Sequence, residues 1–338
     1  LWLVRVACVL ALVAAPATAH ACGGCYRLPY QSLLEKVERG DRVVVAHLGA
    51  PGGSTWVIDR TIKGDPVNVA ETFQINDRLR RSTNRPNGRH ILIWNQTLGS
   101  WKVEAQANPE LVAFLQSAAL LSKQQELPIP IRRQAQRLRF FLPYLEHADA
   151  NIADSTHSQF SSAPYAALKE IAADLDREKL LFWIEDHSAA INTRVALFVT
   201  LLGVCGDERD ARQIKKWIER CRSGDASYLT ALLTAHIEME GEQAVRFIEE
   251  SYIRNRDRQL GEIIAAVDAL RTHGQADTGV SRDRIKASFH LLLRERPPLA
   301  ELVIDDFTRW EDWSIAPLLI ELYKSGRQPW NNALITKY

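Results

Sequence analysis

Two cysteines near the N-terminus form the local motif with the clearest chemistry in this sequence, Cys22-Gly23-Gly24-Cys25. Two thiols at this spacing can close a disulfide, act as a redox pair or provide half of a metal site. A redox pair needs a thiol pKa lowered by a following helix in a βαβ setting, and the sequence supplies no such setting. A metal site needs two further ligands, and the sequence contains no second CxxC or HxxxH motif. A disulfide is therefore favoured, with the redox pair as the alternative.

The residues before this motif predict export from the cytoplasm. Arg5 gives a short positive flank, an uncharged apolar run follows over residues 6–15, and Pro16 precedes small residues up to Ala21. An apolar run of about ten residues is too short to span roughly 30 Å of hydrocarbon, but it fits the core of a secretory signal peptide. We therefore predict a signal peptide over residues 1–21 and a mature protein that is periplasmic, in the cell envelope or secreted.

Besides a disulfide or a redox pair, the sequence suggests lipidation or a buried free thiol for cysteines of the mature chain. Ala19-His20-Ala21 loosely resembles a bacterial lipobox, which implies lipidation of Cys22 and membrane contact through that lipid alone. Cys205 and Cys221 each end an apolar helical pattern, and a rise of about 1.5 Å per residue places them roughly 20 Å apart. Because a disulfide needs Cα atoms within about 7 Å, we expect these two to be free, buried thiols.

One cluster of polar side chains contains residue types that bind metals. His147, Asp149, Asp154 and His157 lie within eleven positions of one another. Their spacing does not place the two histidines at i and i+4 on one helix face. We therefore interpret Asp149 as a helix cap and both histidines as solvent-facing.

A second cluster lies near the C-terminal end. Its carboxylates and tryptophans are Asp305, Asp306, Glu311 and Asp312 with Trp310 and Trp313. Paired carboxylates near tryptophans can cleave glycosidic bonds. Exposed acids at a helix end beside core tryptophans explain the same pattern more simply. We therefore predict no catalytic, cofactor-binding or metal-binding set and no enzyme activity.

The composition limits the class of partner. With 46% hydrophobic and 25% charged residues, the chain can form a large core, as soluble globular proteins do. Its 42 basic and 41 acidic residues leave almost no net charge. Because nucleic-acid binders usually carry a basic excess, we predict no nucleic-acid partner.

Residues 41–105 have the alternation of strands. Short β-branched or apolar runs occur at residues 43–45, 54–58, 72–75 and 91–94, separated by turns that contain glycine, proline or asparagine. Several short strands with turns every dozen residues predict a small barrel or sandwich.

The motifs of this region carry a resemblance. Cysteines at the mature N-terminus, a short helix and then DRVVVAHL, STWVIDRTIKGD, FQI and RHILIW resemble the netrin-like domain, an OB-type barrel shared with tissue inhibitors of metalloproteinases. In those inhibitors the free N-terminal cysteine chelates the zinc of the protease. The resemblance implies that Cys22 would take this role if cleavage falls after Ala21.

From about residue 131 the apolar residues return with the period of helices, and each stripe must be buried against a neighbouring helix. Breaks are expected at Gly206-Asp207, Ser223-Gly224-Asp225, His273-Gly274 and Pro297-Pro298. The stripes comprise Leu138, Phe141, Leu142 and Leu145; Ala211, Ile214, Trp217, Ile218 and Cys221; Leu260, Ile263, Ile264, Val267 and Leu270; and Ile315, Leu318, Leu319, Leu322 and Tyr323.

Two segments resemble the HEAT-repeat consensus, FLPYLEHADANIADSTHSQF and IAPLLIELYKSGRQPWNNALI. The resemblance implies that Pro143 kinks a first helix and that Asp149 caps the second. Helix pairs that begin near residues 131, 164, 192, 226, 257 and 299 have the spacing of an α-solenoid. The chain also resembles bacterial exported proteins of unknown function that join a CxxC-led β domain to HEAT-like helices.

The sequence therefore predicts an α+β multidomain chain. A signal peptide occupies residues 1–21, a small OB/netrin-like β-barrel domain 22–115, a linker 116–130 and an all-α HEAT-like solenoid 131–338. Because solenoids present extended concave surfaces, we predict an exported, non-enzymatic binding or scaffold protein with a protein partner. The alternatives are a redox protein that uses Cys22 and Cys25 and a netrin-like metalloprotease inhibitor that uses Cys22.

Overall fold

The structure is a computed structural model. It describes residues 30–50, 54–65, 71–74, 88–97, 99–123, 130–186, 194–221, 225–277 and 279–324. The predicted signal peptide and the Cys22–Cys25 motif lie outside the described residues.

The N-terminal part is one short helix and an antiparallel sheet. Helix α1 (Leu33–Arg39) begins at a capping box made by Ser32 and Glu35. The five strands have the order β3-β2-β1-β4-β5 in the sheet. They are β1 (Val43–Leu48), β2 (Thr55–Lys63), β3 (Thr72–Gln74), β4 (His90–Asn95) and β5 (Ser100–Gln106). The runs predicted at 43–45, 54–58, 72–75 and 91–94 correspond to β1 to β4, whereas β5 was not singled out as a strand.

The sheet is not closed into the predicted barrel. Strands β3 and β5 are its two edges, and no ladder joins them in the described residues. The sheet is nevertheless bent, because register shifts interrupt the β1–β2 and β4–β5 pairings. One face of the sheet covers a small core, and the rings of Phe73 on β3 and Trp101 on β5 approach to 5.0 Å. Side chains of the two edge strands thus meet, although no backbone ladder joins these strands in the described residues.

The remainder is mainly helical, with 13 α-helices in the described residues after the sheet. They are α2 (Pro109–Lys123), α3 (Ile131–Phe141), α4 (Ala150–Ser162), α5 (Tyr165–Lys169), α6 (Arg177–Glu185), α7 (Val195–Cys205), α8 (Glu208–Arg220), α9 (Ala226–Glu240), α10 (Glu242–Ile248), α11 (Leu260–Ala276), α12 (Arg282–Glu295), α13 (Glu301–Arg309) and α14 (Ala316–Lys324). The expectation of helices beyond residue 131 is confirmed. Within the described parts, none of the helices is long and apolar enough to cross a membrane.

Most helix boundaries follow the predicted breaks. Helix α7 ends before Gly206, α9 begins at the Asp225 cap, and α12 ends before Pro297. The break predicted at His273-Gly274 is wrong, because α11 continues to Ala276. A Cβ at Gly274 would lie 2.9 Å from the Trp310 ring, so this glycine allows close helix packing and does not end a helix.

The segment that resembles a HEAT repeat is partly as expected. Asp149 caps α4, accepting a hydrogen bond from the backbone N–H of Asn151. Helix α3 ends at Phe141, and Pro143 lies in a separate 3₁₀ turn over Leu142–Tyr144. The proline therefore does not kink a longer helix, because its ring and missing N–H favour a new turn at this point.

Three helices form a central row, in which α9 packs between α7 and α11. Every residue from Ala196 to Gly203 on α7 and from Leu229 to Ile237 on α9 is buried. Helices α8 and α10 contact α9, while α5 contacts both α7 and α11. The helices of this row are buried over most of their length, as expected for helices that are apolar on all sides.

The sheet and the helices share one continuous core. It contains Leu34 of α1, Val43 and Ile91 of the sheet, and Phe114 and Phe141 of the helices. Within the predicted stripes, most apolar residues are buried, but Leu260 is 53% exposed at the start of α11. This core includes α4 and α7, which together with the turn after α3 and helix α6 position the candidate site.

Candidate functional site

The four residues of the predicted metal cluster have separate roles. His147 Nδ1 accepts a hydrogen bond from the N–H of Asp149, and its Nε2 lies 3.1 Å from Glu110. His157 is fully buried, so the expectation that it faces solvent is wrong. Asp154 contacts Arg194 instead of a histidine. Among the residues that the structure describes, no three His, Cys, Asp or Glu side chains form a group that could hold a metal ion.

A buried ion cluster surrounds Arg194, the residue that immediately precedes α7. Arg194 as a whole is only 6% exposed. Nη1 donates to the two carboxylate oxygens of Glu146 at 3.0 and 3.1 Å, and Nη2 donates to Asp154 Oδ1 at 2.6 Å. The hydroxyl of Tyr30 donates to the other oxygen of Asp154 at 2.8 Å. The cluster thus joins the segment before α1, the turn before α4, α4 itself and the start of α7.

Burial and charge act in opposite directions in this cluster. Burial raises the pKa of Glu146, the Arg194 charge opposes that rise, and the nearby carboxylates of Asp154 and Asp186 reinforce it. Burial also disfavours the charge of Arg194, but its bonds to Asp154 and Glu146 outweigh burial and raise its pKa. Breaking such a pair would leave one charge buried without its partner.

His157 lies beside the cluster as a neutral side chain. Burial, followed by the positive charge of Arg194, lowers its pKa to about 4. The Ser161 hydroxyl donates to the His157 carbonyl at 2.9 Å, and the same oxygen lies 3.4 Å from the ring Nδ1. The other ring nitrogen, Nε2, is buried and has no hydrogen-bond partner in the described structure.

A cleft of about 470 Å³ adjoins the cluster. Glu146 is common to both, since its carboxylate binds Arg194 and also lines the cleft. The walls come from the turn after α3, the 3₁₀ turn at Ala172–Asp174 and helix α6. The lining residues are Leu142, Pro143, Leu145, Glu146, Asp174, Leu175, Asp176, Lys179, Leu180 and Trp183.

The walls of the cleft are largely apolar, and its charged side chains form ion pairs with neighbouring residues. Asp174 binds Arg139 at 2.7 Å, and Lys179 lies 3.4 Å from Asp176, which caps α6. Trp183 is held in place by a ring contact of 5.1 Å with Phe198 of α7. A fixed aromatic ring, apolar walls and a few oriented polar groups are the features of a binding cleft.

The C-terminal acidic cluster is divided between different partners. Asp306 is buried and binds Arg271, so the expectation of exposed acids fails there. Asp312 binds Lys286 at 2.8 Å. Trp310 stacks on Phe289 in the core, but Trp313 is 55% exposed. These ion pairs connect helices and account for Asp306 and Asp312.

Cys205 and Cys221 form no disulfide, as predicted, and both are partly buried against the core. Burial raises the pKa of each thiol to about 11. Because the thiolate is the reactive form, both cysteines are chemically quiet at neutral pH.

Comparison with known proteins identifies no relative, since no family model, curated protein or solved structure matches the chain. The structure itself defines the class: an N-terminal five-stranded antiparallel sheet followed by a mainly helical region.

The motifs of the sequence do not single out Arg194, Glu146 or Trp183. Arg194 binds residues 40 and 48 positions away, a separation that no local pattern can indicate. One signal was present: a single arginine directly before an uncharged helix of 11 residues must find a partner if the helix is buried.

Proposed function

We propose that the protein is an exported, non-enzymatic binding protein that holds an apolar segment of a protein partner in the cleft beside Trp183. The observation that carries the proposal is the cleft itself, with its apolar walls and paired charges. Paired charges present no unsatisfied group to an apolar segment, and a fixed tryptophan can contribute contact area at little entropic cost.

We propose a finer description of the fold as well. The strand order β3-β2-β1-β4-β5 is the order of an OB-type barrel opened between β3 and β5, and the Phe73–Trp101 contact lies at that opening. The stacking of alternate helices α7, α9 and α11 supports a HEAT-like arrangement, because helix pairs that repeat place equivalent helices side by side. The redox and inhibitor hypotheses depend on Cys22 and Cys25, outside the described residues, and stay predictions of the sequence.

The test places a photo-crosslinking amino acid in the cleft of the full chain. p-Benzoylphenylalanine replaces Lys179, a cleft residue whose side chain is 66% exposed. The control replaces Arg246 on α10, whose side chain is 60% exposed. In the producing cells, we expect the cleft position to crosslink one defined protein and the control position not to do so.

A second variant makes the result specific. Leu175→Glu puts an unpaired charge among the apolar cleft walls, so we expect it to abolish the crosslink at position 179 while the circular dichroism spectrum is unchanged. Identical crosslinks from positions 179 and 246, or a crosslink that survives Leu175→Glu, would refute the proposal.

A further inference from the structure

Helix α8 carries a line of exposed positive charge. Ala211, Ile214 and Ile218 are buried against the core. Four cations, Arg212, Lys215, Lys216 and Arg220, are exposed on the other side of the helix and are called here the basic face of α8. Only Glu208 and Glu219 supply exposed acids on the same helix.

These four cations make no ion pair and no side-chain hydrogen bond with any residue that the structure describes. The cations of α12 behave differently. Arg284 binds Glu249 at 2.7 Å, and Lys286 binds Asp312 at 2.8 Å. Unpaired like charges close together on one helix cost stability, so the chain itself gives no structural reason for this face.

The basic face lies on the helix next to the cleft. Arg177, the first residue of α6, donates two hydrogen bonds to Asp210 on α8, at 2.6 and 2.8 Å. The side chain of Asp210 is almost fully buried, and its hydrogen bond with Arg177, which outweighs the desolvation of the guanidinium, raises the pKa of Arg177. Helix α6 also lines the cleft through Lys179 and Trp183. The Arg177–Asp210 pair therefore ties the first turn of α6, the helix that lines the cleft, to the first turn of α8.

We infer that the basic face of α8 docks an acidic stretch of the same protein partner whose apolar segment occupies the cleft. The inference rests on the proposed function and adds the partner's charge. Complementary charge would speed encounter and fix the orientation of the apolar segment.

A protein surface fits this face better than a bilayer does. A helix that lies on a membrane inserts an exposed apolar side into the headgroup region. The apolar side of α8 is buried in the core, so only charged and polar groups and the half-buried Trp217 remain at its surface. A nucleic acid would need a larger excess of positive charge than the formal +1 of the chain.

The experiment uses fluorescently labelled poly-L-glutamate as the acidic probe and measures its anisotropy with the full chain at low and high salt. The variant Arg212→Glu/Lys216→Glu reverses two charges of the basic face. Its matched control, Arg132→Glu/Arg133→Glu, reverses two exposed arginines on α3 that also lack ion pairs in the described structure. We expect the α8 variant to weaken binding about tenfold, the control less than about twofold, and salt to weaken binding to the unmodified chain.

Three results would overturn the inference: no binding of the probe, equal losses in both variants, or α8-dependent binding to vesicles of phosphatidylglycerol and phosphatidylcholine in place of the probe. Circular dichroism checks that both variants are folded, and Arg212→Gln/Lys216→Gln repeats the test without adding acids.

The crosslink from position 179 distinguishes a failure of this inference from a failure of the cleft proposal. If the crosslink forms but the acidic probe does not bind as expected, only the cleft proposal is supported. If the crosslink does not form in a chain whose α8 is unmodified, the cleft proposal is refuted.

Discussion

Helices α8 and α9 are neighbours in the chain and in space, yet they use their residues in opposite ways. Eight of the 13 residues of α8 are Asp, Glu, Lys or Arg, and one stripe is buried. Helix α9 is buried without interruption from Leu229 to Ile237. The difference shows that position in the layers decides the role of a helix here. The inner helix contributes stability, whereas the outer helix keeps a free surface.

The inner row is not purely apolar. His273 on α11 lies with Nε2 3.0 Å from the carbonyl of Thr234 on α9, and its ring contacts Tyr165 of α5 edge to face. His236 on α9 is also buried, and its Nδ1 makes no hydrogen bond among the described residues. Buried polar groups of this kind must be neutral or hydrogen-bonded, so they make the stability of the inner row sensitive to pH.

The largest expected contrast compares two phenylalanines. Phe198 on α7 is fully buried, and Phe182 on α6 is 67% exposed. We expect Phe198→Ala to lower the free energy of unfolding by about 3–5 kcal/mol, since it removes contacts and leaves a cavity. Phe182→Ala should change it by less than about 0.5 kcal/mol. Urea denaturation of both variants measures the difference, and similar losses would contradict the layered arrangement.

Two glycines give a smaller contrast of opposite sign. A Cβ at Gly203 on α7 would lie 2.6 Å from the Cα of Ala235 on α9, whereas nothing lies within 4 Å of a Cβ at Gly261 on α11. Gly203→Ala should destabilise the fold by about 1–3 kcal/mol, because the two inner helices must separate. Gly261→Ala should stabilise it by up to about 1 kcal/mol through backbone entropy. Thermal melts that shift in the same direction would disprove the close packing of α7 and α9.

The last expected effect is a pH dependence of the inner row, which is absent at neutral pH. Burial, followed by the Lys215 charge, lowers the pKa of His236 to about 4 from its ordinary 6.5. Between pH 6.5 and pH 4, His236 is protonated in the unfolded chain but stays neutral in the folded chain. The contribution of neutral His236 to the free energy of unfolding is therefore fully present above pH 6.5 and is lost as the pH falls toward 4. One such histidine contributes a slope of up to about 1.4 kcal/mol per pH unit.

His236→Met isolates this contribution, because it keeps an unbranched side chain of similar size and cannot titrate. Unfolding free energies between pH 4 and pH 7 should fall less steeply for the variant than for the unmodified chain. Equal slopes would show that His236 takes up its proton without unfolding.

Prediction from the sequence succeeded where neighbours in the chain decide the structure. The cap at Asp149 and the buried stripe of α8 depend on residues within one or two helical turns, so spacing alone indicated them. It failed at Gly274, where a glycine that resembles a helix end makes room for the distant Trp310 ring. It also failed at the sheet edge, because closure of a barrel depends on whether β3 and β5 meet, which neither strand specifies alone.

Local spacing was enough to predict the helical period beyond residue 131, most strands and the absence of a disulfide between Cys205 and Cys221, because these follow from local repetition and from distance along the chain. Packing between distant elements, which no local pattern contains, buries α9 and brings Arg194 to Glu146 and Asp154. It alone decided that an apolar cleft opens beside the basic helix. These features depend on contacts between residues far apart in the chain, whose cost and gain are set only when the layers pack.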